Sequence, residues 1–123
     1  MPLKLPQQII DNNRLNDEED MSQDAAELNQ IIKEGVLVKR NKGYWKQDRF
    51  FTLSRDGQLK YFEDQEHKGT IVLTRGSRVV KKKANHFEIV NTDRTWFLYS
   101  EAKNPERLID AWIAAVRDVI AGL

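Results

Sequence analysis

The chain of 123 residues contains no cysteine. That excludes disulfides, thiolate metal sites, cysteine nucleophiles and palmitoylation together, and it suits a reducing compartment. Two histidines, His67 and His86, leave little from which to build a zinc site. No apolar run approaches the roughly 18 residues needed to span a bilayer. The opening residues lack the charged-then-apolar order of a secretory signal and run into an acidic stretch instead. There is no glycine-rich phosphate loop, no nucleophile elbow and no paired metal-ligand motif, so an enzyme is not expected, and no cofactor is implied. Repeats and low-complexity tracts are missing as well.

What is present is a domain's worth of chain, 40% hydrophobic and 32% charged. A chain of this length buries about two thirds of its unfolded surface. The net charge of +1 conceals an asymmetry. Residues 1–33 carry Lys4, Arg14 and Lys33 against seven carboxylates, a net −4, and the remaining 90 residues carry +5. An acidic leader thus precedes a basic body, and the body is a reason to look for an anionic partner.

Residues 1–21 are polar with no sustained period and are expected to be a disordered acidic leader. Over 22–33, Ala25, Leu28, Ile31 and Ile32 fall at helical spacing, with Ser22 or Asp20 as cap and Gly35 just past the end, which predicts a short extra helix. Strand signals follow at Val36–Val38, Phe50–Leu53 and Leu59–Phe62, the last two joined by Asp56-Gly57, a strong hairpin signal because glycine takes the φ > 0 position. Further strands are expected at Gly69–Thr74, Ser77–Lys82, His86–Val90 and Arg94–Ser100. Seven short strands with mostly short connections point to an antiparallel barrel or sandwich. A final helix is predicted over about Asn104–Ala121, with Asn104 as N-cap, Pro105 at the first helical position and an apolar stripe of Leu108, Trp112, Ala115, Val116 and Val119 that would seal one end of the barrel.

In combination, several segments resemble the pleckstrin-homology (PH) domain family over about residues 34–121. Glu34–Arg40 looks like that family's first strand, Trp45–Leu53 its second, Leu59–Phe62 its third, and Lys68-Gly69-Thr70-Ile71 opens the fourth. Phe87-Glu88-Ile89 and Arg94–Leu98 resemble the sixth and seventh strands, and Trp112 sits where the family places its helical tryptophan. The resemblance implies a mainly β domain of seven antiparallel strands capped by one amphipathic helix, acting as an adaptor and not an enzyme. Many members bind phosphoinositide headgroups, using a Lys late in the first strand and a basic–any–Arg triplet in the second. Lys39 matches the first Lys and Arg49 the closing Arg, but the middle basic position falls on Gln47, with Lys46 one residue out of register.

Lys39 is therefore expected at the mouth of the barrel as a headgroup ligand, the alternative being a solvated strand-end lysine. Arg49 shares parity with Phe51 and Leu53. An unpaired guanidinium cannot sit inside an apolar barrel, so it is expected at the rim, gripping a phosphate or pairing with Asp48, Glu63 or Asp64. Tyr61, at core parity, is expected to pack or to offer its hydroxyl to a phosphate, a role the resemblance implies. Arg40, Lys42 and Lys46 beside Tyr44 and Trp45 have the cation-and-aromatic mixture of a membrane-contacting loop, although packing of Trp45 on the barrel competes with insertion. Lys81, Lys82 and Lys83 with Arg78 form a second basic cluster, either a solvated edge or a further contact with a negative leaflet. His67 is a candidate lipid contact, and His86 is assigned no ligand role.

The expected partner is an anionic phospholipid membrane, met from its cytosolic face by a monomeric, peripheral protein. Because Gln47 interrupts the basic triplet, a phosphoinositide and a simpler phosphomonoester lipid such as phosphatidic acid both stay open. Single-domain PH proteins of parasites that anchor by N-terminal acylation and read phosphatidic acid share the architecture, but Met1-Pro2 is not a myristoylation signal. The competing class is a protein-interaction module with weak or no lipid binding, which the acidic leader and Gln47 favour. Nucleic acid is not expected as a partner, since the aromatics lie mostly at core parity.

Overall fold

The structure, a computed structural model, describes residues 28–41 and 45–123. The acidic leader and most of the expected 22–33 helix lie outside the described residues. Seven strands run β1 Ile31–Asn41, β2 Trp45–Ser54, β3 Gln58–Glu63, β4 Glu66–Val72, β5 Arg78–Lys83, β6 His86–Val90 and β7 Thr95–Tyr99, followed by one helix, α1, Pro105–Ala121. All six pairings are antiparallel, and the strand order is β4-β3-β2-β1-β7-β6-β5. The central strand β1 pairs along its whole length with β2 but with β7 only at Val38, Lys39 and Arg40. The sheet therefore turns around β1, leaving β4 and β5 as its edges.

The start of β1 corrects the sequence expectation. Ile31 and Ile32 are already strand, with Ile31 opposite Ser54 and a bulge before Lys33 opposite Leu53. Two further backbone bonds, Arg55 N–H to Gln30 O and Asp56 N–H to Leu28 O, extend that attachment toward the N-terminus. Leu28 is helical, as the spacing predicts, but Ile31 and Ile32, which fit the same spacing, are made strand by the backbone partners offered by β2.

Local chemistry accounts for the turns. Between β2 and β3 the chain reverses at Gly57, φ 90°, as the Asp-Gly signal predicts. A Cβ there would stand 3.0 Å from the Leu73 carbonyl oxygen, whose own residue donates its N–H to Gly57 O at 2.7 Å. Between β3 and β4, Asp64 (φ 51°) and Gln65 (φ 70°) both take left-handed conformations, the requirement of the mirror-image turn that fits twisted hairpins.

The core follows from strand alternation. Leu37, Phe51, Leu53, Leu59, Ile71, Phe87, Ile89 and Leu98 are fully buried, and α1 lays Ile109, Trp112, Ile113, Val116 and Val119 against them. The helix packs on β5, β1 and β6. Its buried stripe includes Ile109 and Ile113, which the expected stripe omitted, while Leu108 and Ala115 are only partly buried at its margin. Asn104 occupies the cap position in a left-handed conformation (φ 53°, ψ 62°) and makes no side-chain cap bond, so its contribution is backbone conformation and not the side-chain acceptor expected.

Candidate functional site

Beyond Leu37, Phe51, Leu59 and Leu98, the inward-facing parity of each strand continues toward one end of the sheet. There it carries Lys39 and Trp96 on neighbouring strands, Gln47 and Arg49 on β2, and Tyr61 on β3. Lys39 is 6% exposed. Its Nζ lies 5.2 Å from the Tyr61 ring and 5.6 Å from the Trp96 ring, and it approaches Gln47 Oε1 at 3.4 Å, a long and weak contact. The rings of Phe51, Tyr61 and Trp96 form a continuous floor, with centroids 5.6 and 5.9 Å apart. Arg94 closes the cluster from the turn before β7, its Cζ 3.6 Å from the centre of the Trp96 ring.

Three cations thus converge with little to neutralise them. Burial, and then the neighbouring charges of Arg94 and Arg49, hold the Lys39 ammonium below the usual lysine range. Arg49 donates from Nη1 to the Asp48 carbonyl oxygen at 2.9 Å, and its Nη2 lies 3.6 Å from Glu63 Oε1. Its Nε is buried and has no hydrogen-bond partner among the described residues. Of the three carboxylates weighed for Arg49, Glu63 is the one that comes near, while Asp48 contributes its backbone. Glu63 is shared with Lys68 at 3.9 Å, so its charge is divided. A site with surplus positive charge, an orphaned guanidinium N–H and an aromatic floor is complementary to a multiply charged oxyanion. Tyr61 lies close over Gly69: a Cβ on Gly69 would overlap the phenol oxygen and ring.

The structure brings Lys39, Arg49 and Tyr61 together. It also adds Arg94 and Trp96, which sequence reasoning did not single out. The available signal was parity: Trp96 and Leu98 alternate onto the inner face of β7, and Arg94, just before the strand, continues the alternation to the rim. Gln47, seen in the sequence as a gap in a basic triplet, faces Lys39 across the β1–β2 ladder.

The remaining candidates are dispersed. Arg40 and Lys46 pair across β1 and β2 on the opposite face of the sheet. Arg40 lies over the Tyr99 ring at 4.7 Å, and Lys46 is ion-paired with Glu101 at 2.7 Å. Lys42, Tyr44 and the side chain of Trp45 lie outside the described residues. His67 contacts Thr70 Oγ1 through Nε2 at 3.0 Å and packs near Phe62. Lys81–Lys83 does not act as one cluster: Lys81 is held by Glu106 at 2.6 Å and Asp110 at 2.9 Å of α1, a pairing that raises its pKa, whereas Lys82 and Lys83 border a cavity with Arg40.

A sequence model described as PH domain matches residues 19–121. The chain belongs to the PH-domain family. Among solved structures, it is similar to the C-terminal PH domain of pleckstrin in complex with D-myo-Ins(1,2,3,4,5)P5, at 29% identity and TM-score 0.63, over 73% of this chain and 98% of that one. The same pleckstrin domain in complex with D-myo-Ins(1,2,3,5,6)P5 aligns at 28% identity and TM-score 0.64, over 75% and 97%. The PH domain of human oxysterol-binding protein-related protein 11 shares the fold at 21% identity and TM-score 0.58, over 72% and 78%. A search of curated proteins finds no match. Among the described residues, no helix is long and apolar enough to cross a membrane, and no group of three or more His, Cys, Asp or Glu is placed to hold a metal ion.

Proposed function

We propose that this PH domain is a peripheral membrane-targeting module that binds the phosphorylated headgroup of an anionic phospholipid through Lys39, Arg49 and Arg94, with Tyr61 and Trp96 as the floor. One observation carries the proposal: a nearly buried lysine is surrounded by two further cations, and one of these keeps an unpartnered, buried N–H. Burying such a group costs stability unless something arrives to neutralise it. A phosphomonoester does so, accepting from the ammonium and from both guanidinium groups. Lys42, Tyr44 and Trp45, in and beside the β1–β2 connection, are assigned to the leaflet, where basic residues contribute about 1 kcal/mol each. Arg40 and Lys46, on the opposite face, add to the general attraction.

Sedimentation with vesicles that vary one lipid at fixed total charge tests this. Phosphatidic acid, a phosphoinositide and phosphatidylserine form the panel. Retention by one phosphomonoester lipid well above phosphatidylserine is the expected result, and its identity separates the two ligand classes. Equal, poor retention by neutral and anionic vesicles would remove the lipid reading. The protein-interaction alternative then gains weight from a specific feature, the cross-strand pair Val36 and Phe50, which are 59% and 40% exposed on the outer face.

A further inference from the structure

We propose that Asn91 is a positioning residue for the Lys39 cluster: its side chain ties the β6–β7 turn to the end of β4 and so holds Arg94 over Trp96. Its bearing on binding rests on the reading of Arg94 as a headgroup ligand. The starting point is a seam in the fold. β4 and β5 are the two edges of the sheet, and no ladder joins them. Backbone groups along such a seam need partners from elsewhere. One amide bridges it. Asn91 Nδ2 donates to the carbonyl oxygen of Val72, the last residue of β4, at 3.1 Å. Asn91 Oδ1 accepts from the hydroxyl of Ser77, the residue before β5. The Asn91 backbone N–H donates to the Arg94 carbonyl oxygen at 2.8 Å and closes the turn that delivers Arg94.

The direction of these bonds is determined by the chemistry of the partners. A carbonyl oxygen only accepts, so the Asn91 amide nitrogen must face Val72 and its oxygen must face Ser77. Ser77 Oγ in turn accepts from the Thr74 N–H at 2.9 Å, which leaves its one proton for Asn91. Ser77 is buried, and the other oxygen near it, Thr74 Oγ1, is 3.5 Å away. Without the Asn91 amide the hydroxyl therefore keeps only a poor acceptor, and the turn loses both of its side-chain ties.

Arg94 needs such an anchor. It lies on an exposed turn, and among the described residues its side chain has no ion pair; its contact is the Trp96 ring, 3.6 Å from Cζ. Its charge is among those that press on the Lys39 ammonium, so with no anion bound the cluster pushes the guanidinium outward. There is room for it to go. A cavity of about 420 Å³ lies between the end of β4 and the β6–β7 turn, and Arg94 and Trp96 both border it. Asn91 fixes the backbone on either side of that choice. With the tie made, the guanidinium is preorganised beside Lys39 and Arg49; with it broken, the side chain turns into the cavity, and the ordering must be supplied by the ligand.

The test uses the full chain and two readouts. A guanidinium stacked on an indole has its NMR signals moved upfield by the ring current, so the parent Arg94 side-chain signals should be displaced in this way. In Asn91→Ala they should return most of the way to those of a solvated arginine, with no ligand present. The second readout is sedimentation with phosphatidylcholine vesicles carrying either phosphatidic acid or a phosphoinositide. Asn91→Ala should weaken retention several-fold, bounded by the loss of about 10-fold for Arg94→Ala. In a double-mutant cycle, Asn91→Ala should cost nothing more in the Arg94→Ala background, because Asn91 acts through Arg94. Ser77→Ala, which removes the donor to Asn91 Oδ1, should move both readouts the same way by less, and it carries the test if Asn91→Ala does not fold. Arg94 signals that stay displaced in these variants, or losses that multiply in the double variant, overturn the proposal. A parent chain that ignores all of the vesicles, while the Arg94 signals still return in Asn91→Ala, upholds the tie and removes the headgroup reading alone.

Discussion

Replacing Lys39 with Met should separate stability from binding. Methionine reproduces the length and flexibility of the lysine stem, so packing against Tyr61 and Trp96 is kept. What disappears is the ammonium. Its two ring contacts are worth about 0.5–1 kcal/mol each, and the 3.4 Å contact with Gln47 adds little. Against this, the substitution removes the desolvation of a 6% exposed charge and its repulsion by Arg94 and Arg49. Replacing buried charge by apolar volume is often neutral or stabilising by about 1–4 kcal/mol. The net expectation is a variant unchanged or more stable by up to about 2 kcal/mol, read from the urea midpoint. Headgroup affinity should fall about 10- to 100-fold, the loss of one hydrogen bond to a charged group of about 1.5–3 kcal/mol. The pH dependence offers a second readout. Because the folded-state pKa of Lys39 is lowered, the folded protein binds fewer protons than the unfolded chain in the window below pH 10.5. Stability of the parent should therefore rise with pH there, and the Met variant should lose that contribution. A variant destabilised by more than about 2 kcal/mol that binds vesicles normally would make Lys39 a structural residue and refute the reasoning.

Other outcomes follow from the same structure. Arg94→Ala should weaken headgroup binding about 10-fold and leave the unfolding midpoint nearly unchanged, since its guanidinium stacks on Trp96 from an exposed turn. Gln65→Gly should stabilise the fold by about 1 kcal/mol in urea unfolding, because φ 70° strains an L-residue and glycine relieves it. Below pH 6.5, stability should fall as pH is lowered toward the depressed pKa of His86, by at most about 1.4 kcal/mol per pH unit. His86→Gln should flatten that slope in urea midpoints measured across pH 5–7. Gly69→Ala should push the Tyr61 ring aside, costing about 1–3 kcal/mol and disturbing the Lys39–Arg49 cluster, visible as a shifted Tyr61 resonance.

Much of the fold was legible because its signals are local. β6 lies at His86–Val90 as its pattern predicts, α1 starts at Pro105 one residue from the expected boundary, and the Asp56-Gly57 turn is where its chemistry requires it. Ile31 and Ile32 were misassigned because adjacent apolar residues satisfy both periods, and the arbiter, the pairing of Ile31 with Ser54 and of Lys33 with Leu53, lies about twenty positions away in sequence. The site was half legible. Parity placed Lys39, Arg49 and Tyr61 on one face and could have placed Arg94 with Trp96, but which strand Arg94 lies beside depends on the antiparallel pairing of β7 with β1, a contact about sixty positions long that local pattern does not carry. The three consecutive lysines were indistinguishable in sequence. A bulge between Lys81 and Lys83 turns Lys81 to the helix carboxylates and leaves Lys82 and Lys83 at the cavity.

The central strand also carries a conflict. Leu37, Val38 and Lys39 are all buried, so over this stretch β1 has no alternation of apolar and polar residues. Ordinarily that alternation tells a strand which register to adopt, since a slip of one residue turns every side chain to the wrong face. Here a slip would exchange Lys39 for Val38 on the inner face, which the core would locally prefer. The correct register must be imposed from elsewhere: by Gly35 beneath Trp112, by Leu37 in the closed core, and by the bulge at the start of the strand. The lysine is held in place by its neighbours against its own preference, a piece of local frustration kept at the rim of the candidate site.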